Sequence, residues 1–197
     1  MSSSPALPLV LASTSPQRRA ILEQICLPFE VVVPRYEEQD PPGTDPVDLV
    51  RDHARGKARS VAEEAGDSPV LGVDTAVLLE GRTYGKPATA EEAAKMLDAL
   101  DGRVHEVLSG LCLLTPGWEI VEHEVTRVWF RPLTPRDIAT YISSGEWEGR
   151  AGSYAIQGRG AALVERIVGD YLNVVGLPAA LLVRLLASRV AGVYGFG

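Results

Sequence analysis

The sequence has few cysteines and no long apolar run. Its two cysteines, Cys26 and Cys112, are too few for a disulfide framework or a cysteine-based metal knuckle. Both lie in apolar stretches, which predicts packed thiols rather than nucleophiles. No apolar segment approaches the roughly 20 residues of a membrane-spanning helix, and the first residues lack the positively charged flank of a secretory signal. These absences favour a cytoplasmic protein.

Positively charged side chains are also fewer than negatively charged ones. The chain has 19 lysines and arginines against 26 aspartates and glutamates, a formal net charge of −7. This balance gives no support to generic binding of nucleic acid or of an anionic membrane. Apolar residues at 46% and charged residues at 23% are ordinary values for a globular protein. Because a chain of 197 residues can bury a core without disulfide bonds or structural metal ions, we expect a single domain over residues 1–197.

Strand and helix patterns alternate along the chain. Short apolar runs predict strands, and apolar residues at three- and four-residue steps after capping residues predict helices. The predicted strands are Leu7–Ala12, Phe29–Val33, Val70–Leu79, Val104–Leu114 and Glu119–Phe130. The predicted helices begin at Pro16, Pro46, Ala90, Pro135 and Pro178. Interleaved helices and strands predict the α/β class with a mixed sheet and flanking helices.

The first candidate site is Ser13–Arg19, where the first strand passes into the first helix. Hydroxyl and guanidinium groups beside the N–H groups of a helix start suit phosphate. The same segment also fits a capped helix with two solvated arginines, and composition alone favours this simpler interpretation. No glycine-rich loop with a GKS or GKT sequence supports a P-loop.

Charged side chains in four further segments are candidates for the same kind of chemistry. Asp74 lies inside an apolar strand, where a carboxylate is costly to bury unless it binds a cation or accepts hydrogen bonds. A metal ligand or general base and a merely hydrogen-bonded aspartate are equally compatible with this segment. Lys86, between Gly85 and Pro87, and Lys57, on a helix face, could meet phosphate or solvent. The pair Glu37-Glu38 could supply a second carboxylate to a metal, although a solvated acidic turn is the commoner case.

The last candidate is the glycine-rich segment 149–160. Its four glycines permit close approach of the backbone to a ligand. Gln157 offers both a donor and an acceptor, which suits the imide-like edge of a base, although a structural glutamine in a series of turns is the simpler alternative. No histidine pair has metal-ligand spacing, and no G-x-S-x-G elbow is present, so neither a zinc site nor a serine triad is predicted.

Taken together and in order, these segments resemble the Maf family of nucleoside triphosphate pyrophosphatases, historically linked to septum formation. Each matching segment is weak alone, but the ordered set is specific and spans residues 9–178. The segments are LASTSPQRRAIL, HARGKA, VLGVDTAVLLEGRTYGKP, MLDALDGRVHEV, GRAGSYAIQG and GDYLNVVGLP.

The resemblance implies a fold, a reaction and a set of site residues. The implied fold is α/β with a twisted mixed sheet and two lobes around a deep cleft, similar to the inosine triphosphate pyrophosphatases. The implied reaction is hydrolysis of a nucleoside triphosphate to the monophosphate and pyrophosphate with a divalent cation, Mg²⁺ or Mn²⁺. The family's functional residues fall on this sequence as the catalytic Asp74, the phosphate-binding Ser13 and Arg18, the glutamate Glu38 with Glu37 as the alternative, and the lysines Lys57 and Lys86.

The resemblance also bears on substrate choice. The family pattern Ser-Pro-Arg-Arg has Gln17 in place of its first arginine here, and Arg19 could partly supply the missing charge. Gln17, Thr75 and Gln157 fall on the positions tied to specificity. The pairing of Asp-Thr with Ile-Gln-Gly resembles the branch that acts on dTTP and UTP.

Partners and alternatives follow from the same comparison. We expect a small-molecule nucleotide substrate, no nucleic acid, no membrane and, as is frequent in the family, a homodimer. Two alternatives stay open: a nucleotide-binding regulator of septum formation or cell division arrest without significant turnover, and a housecleaning pyrophosphatase for modified nucleotides without pyrimidine preference.

Overall fold

The structure is a computed structural model that describes residues 7–189 and 194–195. The strands are β1 (Leu9–Ala12), β2 (Phe29–Val32), β3 (Val70–Leu79), β4 (Arg82–Tyr84), β5 (Val104–Thr115), β6 (Trp118–Phe130) and β7 (Val164–Val168). The helices are α1 (Pro16–Gln24), α2 (Pro46–Arg59), α3 (Ala62–Ala65), α4 (Ala90–Leu100), α5 (Pro135–Ile142), α6 (Tyr171–Val175) and α7 (Ala179–Arg189), with short 3-10 helices at Ala151–Ser153 and Gly158–Ala162. Within the described part of the chain, no helix has the length and apolarity to cross a bilayer.

The strands form one mixed sheet in the order β2-β1-β3-β5-β6-β7, with β4 paired to β3. Strand β1 is parallel to both neighbours, with Leu9 opposite Phe29 of β2 and Val10 opposite Val70 of β3. Strand β4 is antiparallel to β3, and β7 is antiparallel to β6. The predicted α/β class with a mixed sheet and flanking helices is therefore confirmed.

The chain divides into two compact units. The first comprises the described residues of 1–74, 109–124 and 176–197, and the second comprises residues 75–108 and 125–175. The core of the first unit includes Val10, Ala54, Val70 and Cys112. The second unit has its own core, built around residues such as Leu97 and Phe130. The single domain over residues 1–197 stays a prediction.

Four of the five predicted helix starts are confirmed, and the fifth helix begins at Ala179 rather than at Pro178. Ser15 caps α1 with Pro16 at its first turn, and Asp45 caps α2 with Pro46 in the same place. Their side-chain oxygens accept hydrogen bonds from N–H groups of the first helical turn, which have no partner inside the helix. Strand β3 has the predicted bounds.

The two cysteines differ from each other, and the prediction for one of them was wrong. Cys112 is buried in β5, and burial raises the pKa of its thiol to about 12, as expected for a packed thiol. Cys26 is exposed and ends α1 in the left-handed region at φ 53°. Its N–H donates to the carbonyl of Glu23, and the next N–H, of Leu27, donates to that of Leu22. This is the Schellman pattern, in which the residue past the helix end takes the left-handed conformation.

Candidate functional site

The turn between β1 and α1 forms a compact cluster of hydrogen-bonded polar groups in the first unit. The Ser13 hydroxyl is 3% exposed and accepts from the backbone N–H of Ser15 and from Nη1 of Arg18, both at 3.1 Å. Nε of Arg18 donates to the carbonyl of Gly176 at 3.0 Å. The guanidinium is thus fixed beside the start of α1, where the partial positive charge of the helix also favours an anion.

Helix α2 carries the side chains of His53 and Lys57 toward β3. Residues four apart lie on one helix face, so His53 and Lys57 project on the same side. That side packs closely on β3 because residue 72 is glycine: a Cβ there would lie 2.1 Å from the carbonyl oxygen of Ala54. The close approach of α2 brings both side chains to Asp74, two residues further along β3.

An ion-pair cluster joins Lys57 to two carboxylates. Its Nζ lies 2.6 Å from Oδ1 of Asp74 and 2.5 Å from Oε1 of Glu38. The Lys57 and Asp74 side chains are 11% and 14% exposed, whereas that of Glu38 is 52% exposed. Of the two glutamates that the sequence offered, Glu38 is the one paired with the lysine. The cluster has a buried end at Asp74 and an open end at Glu38.

The loop after β2 is held against α2 by an aromatic contact. A Cβ at Gly56 would lie 2.3 Å from the ring of Tyr36, so only a glycine leaves room for this ring on the helix surface. The same ring meets the edge of His53, with centroids 5.9 Å apart. Because Tyr36 holds the loop after β2 against α2, the Glu38 side chain lies beside Lys57.

His53 was missed as a site residue in the sequence. Its ring is 4% exposed, and its Nδ1 lies 3.5 Å from Oδ2 of Asp74. Its Nε2 lies 3.3 Å from the carbonyl of Gln39 and 3.4 Å from Oδ1 of Asp40. The available signal was its four-residue spacing from Lys57 on one face of a strongly amphipathic helix.

Charges in the cluster set the protonation of Asp74. Burial alone would raise its pKa, but the hydrogen bond with His53 and the positive charges of Lys57 and Arg18 outweigh burial. The pKa of Asp74 therefore lies well below its usual range, and the carboxylate is ionised at neutral pH. For Arg18, burial lowers the pKa while Asp74 and Glu38 oppose that effect.

Three of these residues could hold a metal ion. Glu38, His53 and Asp74 each offer one ligand atom, and these atoms lie within 4.8 Å of one another. Two carboxylates and an imidazole are suitable donors for a divalent cation. The residues therefore fit the cation that the family resemblance implies.

The other predicted site residues lie elsewhere along the chain. In α1, Gln17 accepts a hydrogen bond from the Ser15 hydroxyl at 3.1 Å through its Oε1. Thr75 follows Asp74 in β3 and is the first residue of the second unit. Lys86 and Gln157 are both exposed residues of the second unit, and their roles stay predictions.

One backbone contact connects the segments that carry Lys86 and Gln157. The N–H of Gly152 donates to the carbonyl of Gly85 at 3.1 Å. Gly152 itself has φ 66°, and a Cβ there would lie 2.8 Å from the side chain of Val77, so the close approach of this loop requires glycine. The second unit thus brings together two segments that the sequence analysis selected separately.

Comparison with known proteins gives consistent matches over most of the chain. The family described as Maf-like protein matches residues 8–189. A dTTP/UTP pyrophosphatase of Symbiobacterium thermophilum is 46% identical over 180 residues, 91% of this chain and 93% of that protein. Proteins of the same name from Gloeobacter violaceus and Deinococcus radiodurans are 48% and 44% identical, covering 91% and 96% of this chain and 95% of each relative. Among solved structures, a HAM1 protein from Coxiella burnetii matches with 19% identity and a TM-score of 0.44, covering 80% of this chain and 91% of that one.

Proposed function

The chain belongs to the family of Maf-like proteins, and from this premise we propose that it hydrolyses nucleoside triphosphates, dTTP and UTP foremost, to the monophosphate and pyrophosphate. The observation that carries the proposal is the ionised, largely buried Asp74 held between Lys57 and His53. A packed structural aspartate needs no such set of charged groups, whereas hydrolysis of a phosphoanhydride does.

In this proposal the first unit supplies the phosphate cradle. Ser13 and Arg18 bind phosphate oxygens, supported by the N–H groups at the start of α1. Lys57 neutralises charge on the transferred group. The proposed role of Lys86, a residue of the second unit, is to supply another ammonium. Fixing these groups before the substrate arrives lowers the cost of the charge that develops in the transition state.

Asp74 acts on the water. Its carboxylate accepts a hydrogen bond from the attacking water and either orients that water or takes up its proton as the water oxygen bonds to the α-phosphorus. A proton that Asp74 does not take up passes to a phosphate oxygen. The bond from that phosphorus to the bridging oxygen breaks, and pyrophosphate leaves with the electron pair. The reaction consumes one water and needs no other reactant.

Glu38 and Asp74 are the proposed ligands of a divalent cation, Mg²⁺ or Mn²⁺. When bound, the cation neutralises phosphate oxygens and the leaving pyrophosphate. This role agrees with the open end of the cluster at Glu38, which is exposed to solvent.

Substrate choice is assigned to Gln157, Thr75 and Gln17. The proposed recognition of a pyrimidine uses the amide of Gln157, which can donate to and accept from an imide edge. The name that these relatives share, dTTP/UTP pyrophosphatase, supports this preference. The proposal also includes a cytoplasmic location, action on free nucleotides rather than on nucleic acid or membranes, and a homodimer.

The test is pyrophosphate release from a panel of nucleoside triphosphates, with Mg²⁺ and with Mn²⁺. We expect dTTP and UTP to be the best substrates, and we expect Asp74→Asn to lower turnover by about 10³-fold or more. Asp67→Asn, at an exposed position outside the cluster, is the matched control.

Each result of the panel leads to a different conclusion. Equal activity on modified nucleotides would favour the housecleaning enzyme. Tight nucleotide binding without release would favour the regulator of septum formation. Near wild-type turnover by Asp74→Asn would remove Asp74 from the reaction.

A further inference from the structure

The surroundings of His53 determine which of its nitrogens carries hydrogen. Nε2 lies near two groups that can only accept, the carbonyl of Gln39 at 3.3 Å and a carboxylate oxygen of Asp40 at 3.4 Å. A neutral imidazole has one donor and one acceptor nitrogen, so in the neutral form Nε2 is the donor. In that form the lone pair of Nδ1 is directed into the cluster, whereas in the protonated form Nδ1 donates to Asp74.

That lone pair meets another acceptor. Nδ1 lies 3.5 Å from Oδ2 of Asp74, in a place where the imidazole is 4% exposed. Lys57 contacts the other oxygen, Oδ1, and so leaves Oδ2 to the imidazole. Two facing lone pairs in a buried site repel each other unless a positive species lies between them, which is either a proton on Nδ1 or a metal ion.

A second feature favours the metal. Histidines that bind metals usually donate their other ring N–H to a backbone carbonyl or carboxylate, which orients the ring and makes the ligating nitrogen more basic. Gln39 and Asp40 lie where such partners are needed. Tyr36 meets the edge of the same ring and restricts its rotation.

We propose that Nδ1 of His53 is the nitrogen ligand of the divalent cation held by Glu38 and Asp74, and that it shifts the preference of the site from Mg²⁺ toward Mn²⁺. The inference rests on the proposed function for the cation itself. Mg²⁺ favours an all-oxygen shell with retained waters, whereas imidazole binds first-row transition metals well. His53 thus determines which metal the site selects.

The chain allows a direct spectroscopic test because it contains only three histidines. Electron spin-echo envelope modulation of Mn²⁺ bound to the protein detects a coordinated ¹⁴N nucleus. We expect this coupling in the wild type and its loss in His53→Leu. His123→Leu, at an exposed position in β6, is the matched control and retains the coupling.

Metal titration gives a second readout. We expect His53→Leu to weaken Mn²⁺ binding by about 10-fold or more while Mg²⁺ binding changes by less than about 3-fold. His53→Asn, a smaller polar replacement, is the second variant if the leucine form fails to fold. Circular dichroism of each variant checks that the fold is intact.

The outcomes separate this inference from the proposed function. Nitrogen coupling that disappears with His53 supports the ligand assignment, even in a protein that releases no pyrophosphate. Turnover with no nitrogen coupling, coupling that persists in His53→Leu, or a wild type that binds no Mn²⁺ would overturn it.

Discussion

Two buried histidines of this protein have opposite electrostatic surroundings. His53, in the first unit, is 4% exposed, and its hydrogen bond with Asp74 raises its pKa above the usual value although burial acts in the opposite direction. His105, in the second unit, is 1% exposed, and burial lowers its pKa to about 4. Burial removes water from both rings, so burial alone does not decide the charge of a histidine.

The neighbours of each ring account for the difference. The His105 ring lies edge-on to Phe130 and Tyr154, with centroids 5.0 and 5.4 Å away, and its Nε2 pairs with the Tyr154 hydroxyl at 2.8 Å. These neighbours carry no charge at neutral pH, since burial also raises the pKa of Tyr154. His105 therefore contributes packing and one hydrogen bond, whereas His53 belongs to a cluster of charged side chains.

The largest loss of turnover is expected from removing the ammonium group of Lys57, which lies in the charged cluster around His53. Lys57→Met keeps much of the side-chain length but leaves Asp74 and Glu38 without their ammonium partner. We expect turnover to fall by about 10³-fold, because the phosphate charge and both carboxylates lose compensation. Pyrophosphate release measures it. Arg55→Met, on the same helix but paired with Glu119, is the control and should retain activity.

The pH dependence of stability tests the uncharged surroundings of His105. The folded protein binds a proton at His105 only near pH 4, whereas an unfolded histidine does so near pH 6.5. Stability due to this ring is therefore present above pH 6.5 and is lost as the pH falls toward 4, by about 3 kcal/mol. For His53, with its raised pKa, the contribution has the opposite sign and is lost as the pH rises.

Urea unfolding of the wild type and His105→Phe between pH 4.5 and 7.5 measures the first of these contributions. Between pH 7.5 and 4.5 the free energy of unfolding should fall less in the variant than in the wild type, because the variant has no imidazole at position 105 to protonate. An identical pH dependence in both proteins would show that His105 does not titrate as its surroundings indicate. His123→Phe provides the exposed histidine as a control.

The packing that creates the charged region can be altered at one glycine. Gly72→Ala places a Cβ against the carbonyl of Ala54 and so pushes α2 away from β3. We expect about 2 kcal/mol of destabilisation and reduced turnover, since His53 and Lys57 move with the helix. Thermal unfolding and pyrophosphate release measure the two effects. Gly117→Ala is the control, because a Cβ added at that position would have no atom within 4 Å.

The smallest effect on stability is expected at the end of α1, away from both histidines. Cys26→Gly relieves the left-handed backbone at the end of α1 without removing any buried contact. We expect a gain of about 0.5–1 kcal/mol in the free energy of unfolding and no change in turnover. A loss of stability on urea unfolding would show that the exposed thiol makes a contribution of its own.

Local sequence signals predicted much of the fold. Ser15-Pro16 and Asp45-Pro46 determined two helix starts, because side-chain caps and proline act within a single turn. The apolar run around Asp74 determined β3. The same signals could not predict that Cys26 faces solvent, because a helix end positions the next residue through backbone hydrogen bonds rather than through hydrophobicity.

Sequence patterns were enough to select the candidate residues, and the folded chain decided which of them meet. Asp74 stood out as a charge inside an apolar strand, and the family resemblance selected Lys57 and Glu38. The choice between Glu37 and Glu38 was left open, and His53 was missed. Those contacts depend on a loop with no periodicity, held by Tyr36 on Gly56, and on the close packing of α2 over Gly72. Packing between distant segments is a property of the folded chain, because no local pattern states which surfaces will touch.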